Sequence, residues 1–295
     1  MPKTKLKNYL HLHFLVFIWG FTAILGALIQ LNAIPLVWYR MSFAVLFVLL
    51  YFLFKKKSLR VDKKGLIKFL ISGIIIALHW VFFFSAIKVS NVSVALVSLS
   101  TGAFFTSLIE PLFFKRRLNP IELFFGLIII FGLYIIFNVE SQYTLGIIYG
   151  LMASFLSSLF TVLNGLYIKQ YKAEVLSVYQ LFFGVLFITI FILGTSGFSF
   201  KEFSLTPLDI IYLLILSSIC TAYAFIASVY IMKHLTPFTV MLTINLEPVY
   251  GIILAVIIFG NKEKMSPQFY LGALIILITV LINGWMKNKK TTISF

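Results

Sequence analysis

Residues Thr236 to Gly251 read TPFTVMLTINLEPVYG, and they lie inside a long apolar run. A carboxylic acid, Glu247, is followed at once by Pro248. An ionisable group near a bilayer midplane costs about 2.5–3.5 kcal/mol on insertion scales. A proline inside a helix removes one backbone hydrogen bond and disturbs the carbonyl four residues back, here that of Ile244. On a helix, Thr236, Thr239, Thr243, Glu247 and Tyr250 share roughly one quarter of the circumference. Asn245 points the other way. The result is a narrow polar stripe on a greasy surface, which either packs against another helix or lines a solute pathway.

The rest of the chain has the composition of a polytopic membrane protein. It has 295 residues, 61% hydrophobic and 11% charged. Soluble chains are nearer half apolar and a quarter charged. The net charge of +15 does not imply a nucleic-acid partner, because the cations flank apolar runs rather than forming a soluble basic face. Cys220 is the only cysteine, so there is no internal disulfide and no thiolate metal cluster. His11 and His13 are two apart and face different sides of a helix. No metal or cofactor is expected.

Ten spans of membrane-crossing length follow from the apolar runs. They are Leu12–Ile29, Ile34–Phe54, Gly65–Ile87, Val92–Phe114, Ile121–Phe137, Leu145–Ile168, Val175–Thr195, Pro207–Met232, Pro237–Phe259 and Pro267–Met286. The longest connections, Lys55–Lys64 and Ser196–Thr206, hold no separate domain. With the amino terminus inside, 19 cations fall on the cytoplasmic side and 4 outside, which puts both termini in the cytoplasm. Arg40 lies within the second span.

The chain also repeats. A shift of 145 sets Ser72 on Ser217, Ala77 on Ala222 and Lys88 on Lys233. A shift of 139–140 sets Thr22 on Thr161, Tyr39 on Tyr179 and Arg40 on Gln180. Five spans per half insert the second half upside down, the architecture of many secondary transporters with a midplane solute site. The expected fold is therefore an all-α polytopic membrane protein, ten transmembrane helices in two inverted five-helix repeats. Residues 1–138 form the first repeat, 145–287 the second, and 288–295 a short cytoplasmic tail. Glu247 falls on Gly102 and Pro248 on Ala103, so the acid belongs to one repeat only.

Several short motifs, in this order and spacing, resemble the EamA family of the drug/metabolite transporter superfamily over nearly the whole chain. They are Trp19-Gly20-Phe21, Pro35 to Arg40, Ala86-Ile87-Lys88, Leu246-Glu247-Pro248-Val249-Tyr250 and Leu271-Gly272-Ala273-Leu274-Ile275-Ile276. The resemblance implies a plasma-membrane (inner-membrane) carrier of amino acids, other metabolites or drugs, often outward. It implies a central cavity lined by spans 1, 3, 4, 6, 8 and 9. Two positions depart from the family pattern. The Gly-Glu pair that closes the fourth and ninth helices reads Lys115-Arg116 and Gly260-Asn261 here. The mid-helix proline of the fourth span is replaced by Ala103, which predicts a fourth helix straighter than the ninth.

Glu247 can stay protonated, pair with Arg40 or His79, or meet a coupling proton or a cationic solute group. Arg40 either snorkels to the interface or faces inward toward an acidic solute group. His79, beside Trp80, is a satisfied core histidine or a proton relay. Ser98, Thr101, Gly102 and Phe105 share a face that would oppose the Glu247 stripe, or serve packing. In the sixth span, the ladders Gly146, Gly150, Ser154, Ser158 and Ala153, Ser157, Thr161, Gly165 read as close helix packing. Asn164 is expected at the inner mouth of the cavity. Trp19 and Thr22 form a stripe in the first span, and Phe83, Tyr223, Thr243 and Tyr250 complete the cavity candidates. Pro248 is the helix break. Glu110, one turn from Lys115-Arg116-Arg117, is read as an acid steadying the inner gate. No phosphate loop, metal cluster or catalytic set is visible, so a small-molecule solute and the lipid bilayer are the expected partners and an enzyme is not. Whether the protein works as a monomer or a homodimer is left open. The competing reading is a membrane scaffold or sensor without transport.

Overall fold

The computed structural model of the protein describes residues 3–115, 117–118, 120–195 and 197–292. The first half holds α1 (Lys3–Leu28), α2 (Ala33–Phe54), α3 (Lys63–Val89), α4 (Val92–Leu99), α5 (Gly102–Phe114) and α6 (Pro120–Val139). The second holds α7 (Thr144–Tyr167), α8 (Ala173–Gly194), the short α9 (Phe200–Phe203) and α10 (Pro207–Ser217). A π-helical turn, Ser218–Tyr223, joins α10 to α11 (Ala224–Ile231). Then come α12 (Pro237–Ile244), α13 (Glu247–Phe259) and α14 (Pro267–Thr292). Backbone groups in a bilayer must be satisfied internally, which is why apolar runs of this length become helices. Eight stretches are long and apolar enough to cross a membrane, and two shorter apolar helices, Phe124–Val139 and Pro267–Ile282, accompany them. Those two coincide with the fifth and tenth expected spans. The stretch read as a tail is largely helical, since α14 continues to Thr292.

The ninth span breaks at Asn245–Leu246, immediately before Glu247-Pro248. The fourth span breaks too, against the expectation of a straighter helix. Its two halves have 8 and 13 residues, the same lengths as α12 and α13, each displaced by 145 positions. Hydroxyl groups stand in for the missing proline. Ser100 donates to the Val97 carbonyl at 2.6 Å and Thr101 to the Ser98 carbonyl at 2.8 Å. Such back-bonding competes with the helical ladder and ends the helix locally. The halves of the two broken helices also pack on each other, α4 on α13 and α5 on α12.

Small residues bring other helices together. A Cβ on Gly73 would lie 2.5 Å from the Gln180 carbonyl oxygen, so α3 and α8 approach backbone to backbone. The first sixth-span ladder packs as read. Ser154 donates to the Leu99 carbonyl at 3.0 Å and Ser158 to the Gly102 carbonyl at 2.7 Å. The first of these bonds also satisfies a carbonyl freed by the break in the fourth span.

The two ends of the bundle are tied differently. At the lysine-rich end, Lys57 meets Glu174 at 2.7 Å and Lys68 donates to Gln170 at 2.9 Å. At the other end, the Gln30 N–H donates to Asp209 at 2.8 Å and Lys88 donates to the Ile29 carbonyl. The short helix α9 folds onto α2 there, with the Tyr39 hydroxyl donating to the Phe203 carbonyl at 2.9 Å. Glu140 accepts from the Ser266 N–H at 3.1 Å.

A carboxylate also closes the ninth helix, two residues beyond the Gly260-Asn261 position where the family pair would put it. Glu263 is buried and accepts from the Val92 N–H (2.9 Å), the Ser93 N–H (2.9 Å) and the Ser93 hydroxyl (2.8 Å). It caps the amino terminus of α4, where the helix dipole favours negative charge. Glu263→Ala would strand these donors and is expected to cost about 2–4 kcal/mol, read as a lower melting temperature in detergent. At the fourth-helix end, Arg116 lies outside the described residues. Glu110 is buried in α5, immediately before Pro111.

Candidate functional site

Three helix interruptions converge on one cavity. They are the breaks at Ser100–Thr101 and Asn245–Leu246 and the π-helical turn at Ser218–Tyr223, which contribute Leu99, Ile244 with Glu247, and Cys220 to its wall. Irregular backbone at membrane depth is tolerated where it is buried in protein or lines a cavity. The volume is about 70 Å³. That is smaller than the roughly 300–1,000 Å³ usual for small-molecule sites. The lining runs from Arg40 and Phe83 past Glu247 to Ser228, Met232 and Val240, toward the lysine-rich end.

Arg40 does not snorkel. It is 2% exposed and turned inward from α2, a span outside the set implied by the resemblance. Its Nε donates to the Thr221 hydroxyl at 2.7 Å, and the guanidinium stacks on Trp80 with 4.0 Å to the ring centroid. Its Nη1 has no hydrogen-bond partner among the described residues. The π-helical turn makes this geometry. Thr221 donates to the carbonyl of Leu216, five residues back, at 2.7 Å, and presents its oxygen to Arg40. Single π turns occur often at functional sites because they re-aim side chains.

Glu247 stands at the first position of α13, where the helix amino terminus favours an anion. It lines the cavity with Arg40 and His79. No ion pair joins Arg40 and Glu247, which face the same space. The Nδ1 of His79 lies 2.8 Å from the Ala153 carbonyl and is the protonated nitrogen by that contact, which leaves Nε2 as the available acceptor. Trp19 donates its indole N–H to the Cys220 carbonyl at 3.1 Å, fixing one aromatic wall. Thr22 and Phe83 complete the sequence candidates found here.

Six candidates lie elsewhere. Ser98 and Thr101 face the sixth span, not the Glu247 stripe. The Thr101 hydroxyl oxygen lies 2.9 Å from the Ser154 hydroxyl oxygen, and Ser98 fills the space over Gly150. Asn164 is held by Gln180 at 2.7 Å, away from the inner mouth. Tyr223 is 45% exposed and meets His11 at 2.8 Å, because the extra residue of the π turn rotates it outward. Thr243 donates to the Thr239 carbonyl at 2.9 Å. Tyr250 packs on Gly20 and Phe17. The break before Pro248 ends the five-residue stripe, and Thr236 serves instead as the cap of α12.

Sequence reasoning missed Phe160, Phe225 and Ser228, and assigned Ser157 and Thr161 to packing although they line the cavity. Trp80, the neighbour of His79, is the platform under Arg40. The available signal was the polar run Ser217, Ser218, Cys220, Thr221 inside an apolar span.

The model of the EamA-like transporter family matches residues 7–138 and 144–285. A protein of Clostridium kluyveri described as an uncharacterized transporter is 26% identical over 213 residues, 70% of this chain and 67% of its own. Another so described, from Archaeoglobus fulgidus, is 26% identical over 215 residues, 70% of this chain and 72% of its own. A solved protein crystal structure superposes with a TM-score of 0.69 at 14% identity, covering 93% of this chain and 96% of that one. At that identity the likeness speaks to fold alone.

Proposed function

Since the chain belongs to the EamA-like transporter family and is a multi-pass membrane transporter, we propose that it is a secondary carrier, an exporter or exchanger, working by alternating access. The ten apolar helices act as two inverted five-helix repeats, residues 1–138 and 145–287. The equal lengths and constant offsets of α2 with α8, and of α4–α5 with α12–α13, support this division. The lysine-rich end lies in the cytoplasm of a plasma (inner) membrane protein, supported by the cation asymmetry.

The solute is a small metabolite such as an amino acid, or a drug-like compound with an anionic group. The observation that carries this reading is the Nη1 of the buried Arg40, which has no hydrogen-bond partner among the described residues and lies in the same cavity as Glu247. The anionic group takes Arg40, a cationic or donor group takes Glu247, and the aromatic wall covers the rest. The small cavity reaching toward Met232 and Val240, with the opposite end tied at Asp209 and Glu263, supports a state closed to the outside. Rocking of the broken helices then exposes the site to the other side. Proton coupling runs through Glu247.

The test is flux in proteoliposomes loaded with a mixture of amino acids and small organic acids. Solute-dependent efflux that saturates is expected. Its absence for every solute, with folded protein, would favour a scaffold or sensor.

A further inference from the structure

A second hollow lies on the lipid-facing side of the same π-helical turn. Its volume is about 510 Å³. Phe47 and Val48 of α2 form one wall, and Ala222, Ile226 and Ala227 form the other. The two alanines leave the depression. From Ser218 to Tyr230 it follows the chain for roughly 18 Å of helix rise. One leaflet of hydrocarbon is about 15 Å thick. The mouth is at the lysine-rich end and carries one cation and one anion, Lys57 and Glu174. Lys57 also donates to the Tyr51 hydroxyl at 2.8 Å, and a third N–H remains.

The length, the apolar walls and the paired charges at the mouth fit one ligand class. We propose that this groove is a binding site for a phospholipid of the cytoplasmic leaflet with a primary ammonium headgroup, of the phosphatidylethanolamine kind. One acyl chain lies between α2 and α11. The phosphate takes Lys57 and the ammonium takes Glu174. The Lys57–Glu174 pair is partly exposed, at 36% and 20% for the two side chains, so exchanging it for two lipid contacts loses little. An anionic lipid without the amine would leave Glu174 facing its phosphate. The bound chain presses on Ala222, one residue from the Thr221 that holds Arg40, so lipid occupancy braces the turn behind the central cavity.

Native mass spectrometry of the full chain in detergent tests this, with added phosphatidylethanolamine or phosphatidylglycerol of the same acyl chains. Wild type is expected to hold the first phosphatidylethanolamine about fivefold more tightly, the size of one partly exposed ion pair. Glu174→Gln is expected to remove that preference while retaining lipid. Ala227→Leu, which fills the groove, is expected to weaken binding of both lipids. Equal retention of the two lipids by wild type overturns the proposal, as does a preference that survives Glu174→Gln. Uniform binding of many lipids, unaltered by either substitution, marks annular lipid and also overturns it. Should Ala227→Leu lose its monodisperse gel-filtration profile, Glu174→Gln, at the rim of the groove, decides alone.

Discussion

Arg40→Met is expected to weaken solute binding by about 100-fold, within the 2–5 kcal/mol that a buried charged contact carries, without lowering the melting temperature. Arg40 is 2% exposed, and its guanidinium makes one side-chain hydrogen bond among the described residues, to Thr221, and a stacking contact with Trp80. No carboxylate among the described residues forms an ion pair with it. Taking such a charge out of water is expensive, and replacing it by an apolar side chain of similar length relieves that cost. A residue retained on stability grounds would not be left in this state. Fluorescence quenching of Trp19 and Trp80 by solute gives the affinity, and thermal unfolding in detergent gives the stability. A lower melting temperature with unchanged affinity would make Arg40 a structural strut instead.

Glu247→Gln is expected to uncouple transport from a pH gradient. Glutamine keeps the shape of the side chain, but it neither carries a proton on and off nor pairs with a cationic solute group. Gradient-driven accumulation in proteoliposomes should fall about tenfold, while solute exchange without a gradient continues at the lower affinity that loss of one charge-assisted contact leaves. Coupled transport unchanged in the variant would remove Glu247 from the coupling role.

The helical plan was legible in the sequence because the bilayer leaves the chain few choices. Long apolar runs must be helical, and cations mark their ends. The break at Glu247-Pro248 was legible for the same reason, since proline acts through covalent geometry. Its counterpart at Ser100–Thr101 was not. Hydroxyl back-bonding becomes a helix break only when neighbouring helices satisfy the freed carbonyls, as Ser154 does for Leu99. The site divided along the same line. Arg40, His79 and Glu247 stand out because ionisable groups in apolar runs are rare, and all three line the cavity. Ser98 was placed by helical periodicity, and Asn164 and Tyr223 by being polar side chains in apolar spans. The π turn shifts that register for Tyr223, and Gln180 holds Asn164 elsewhere. Packing partners of this kind are distant in sequence and leave no local mark.

The central claim is that the cavity between Arg40 and Glu247 opens alternately to the two sides of the membrane. Cys220 tests it most directly. It is the chain's only cysteine, lines that cavity and is 3% exposed in this conformation. The measurement is the rate at which a membrane-impermeant thiol reagent labels Cys220 in oriented vesicles, applied from one side at a time. The expected result is labelling from both sides, faster from the lysine-rich side, with saturating solute slowing both rates. Labelling from neither side in folded protein, with full labelling after denaturation, would mean that the cavity never opens and would contradict the claim.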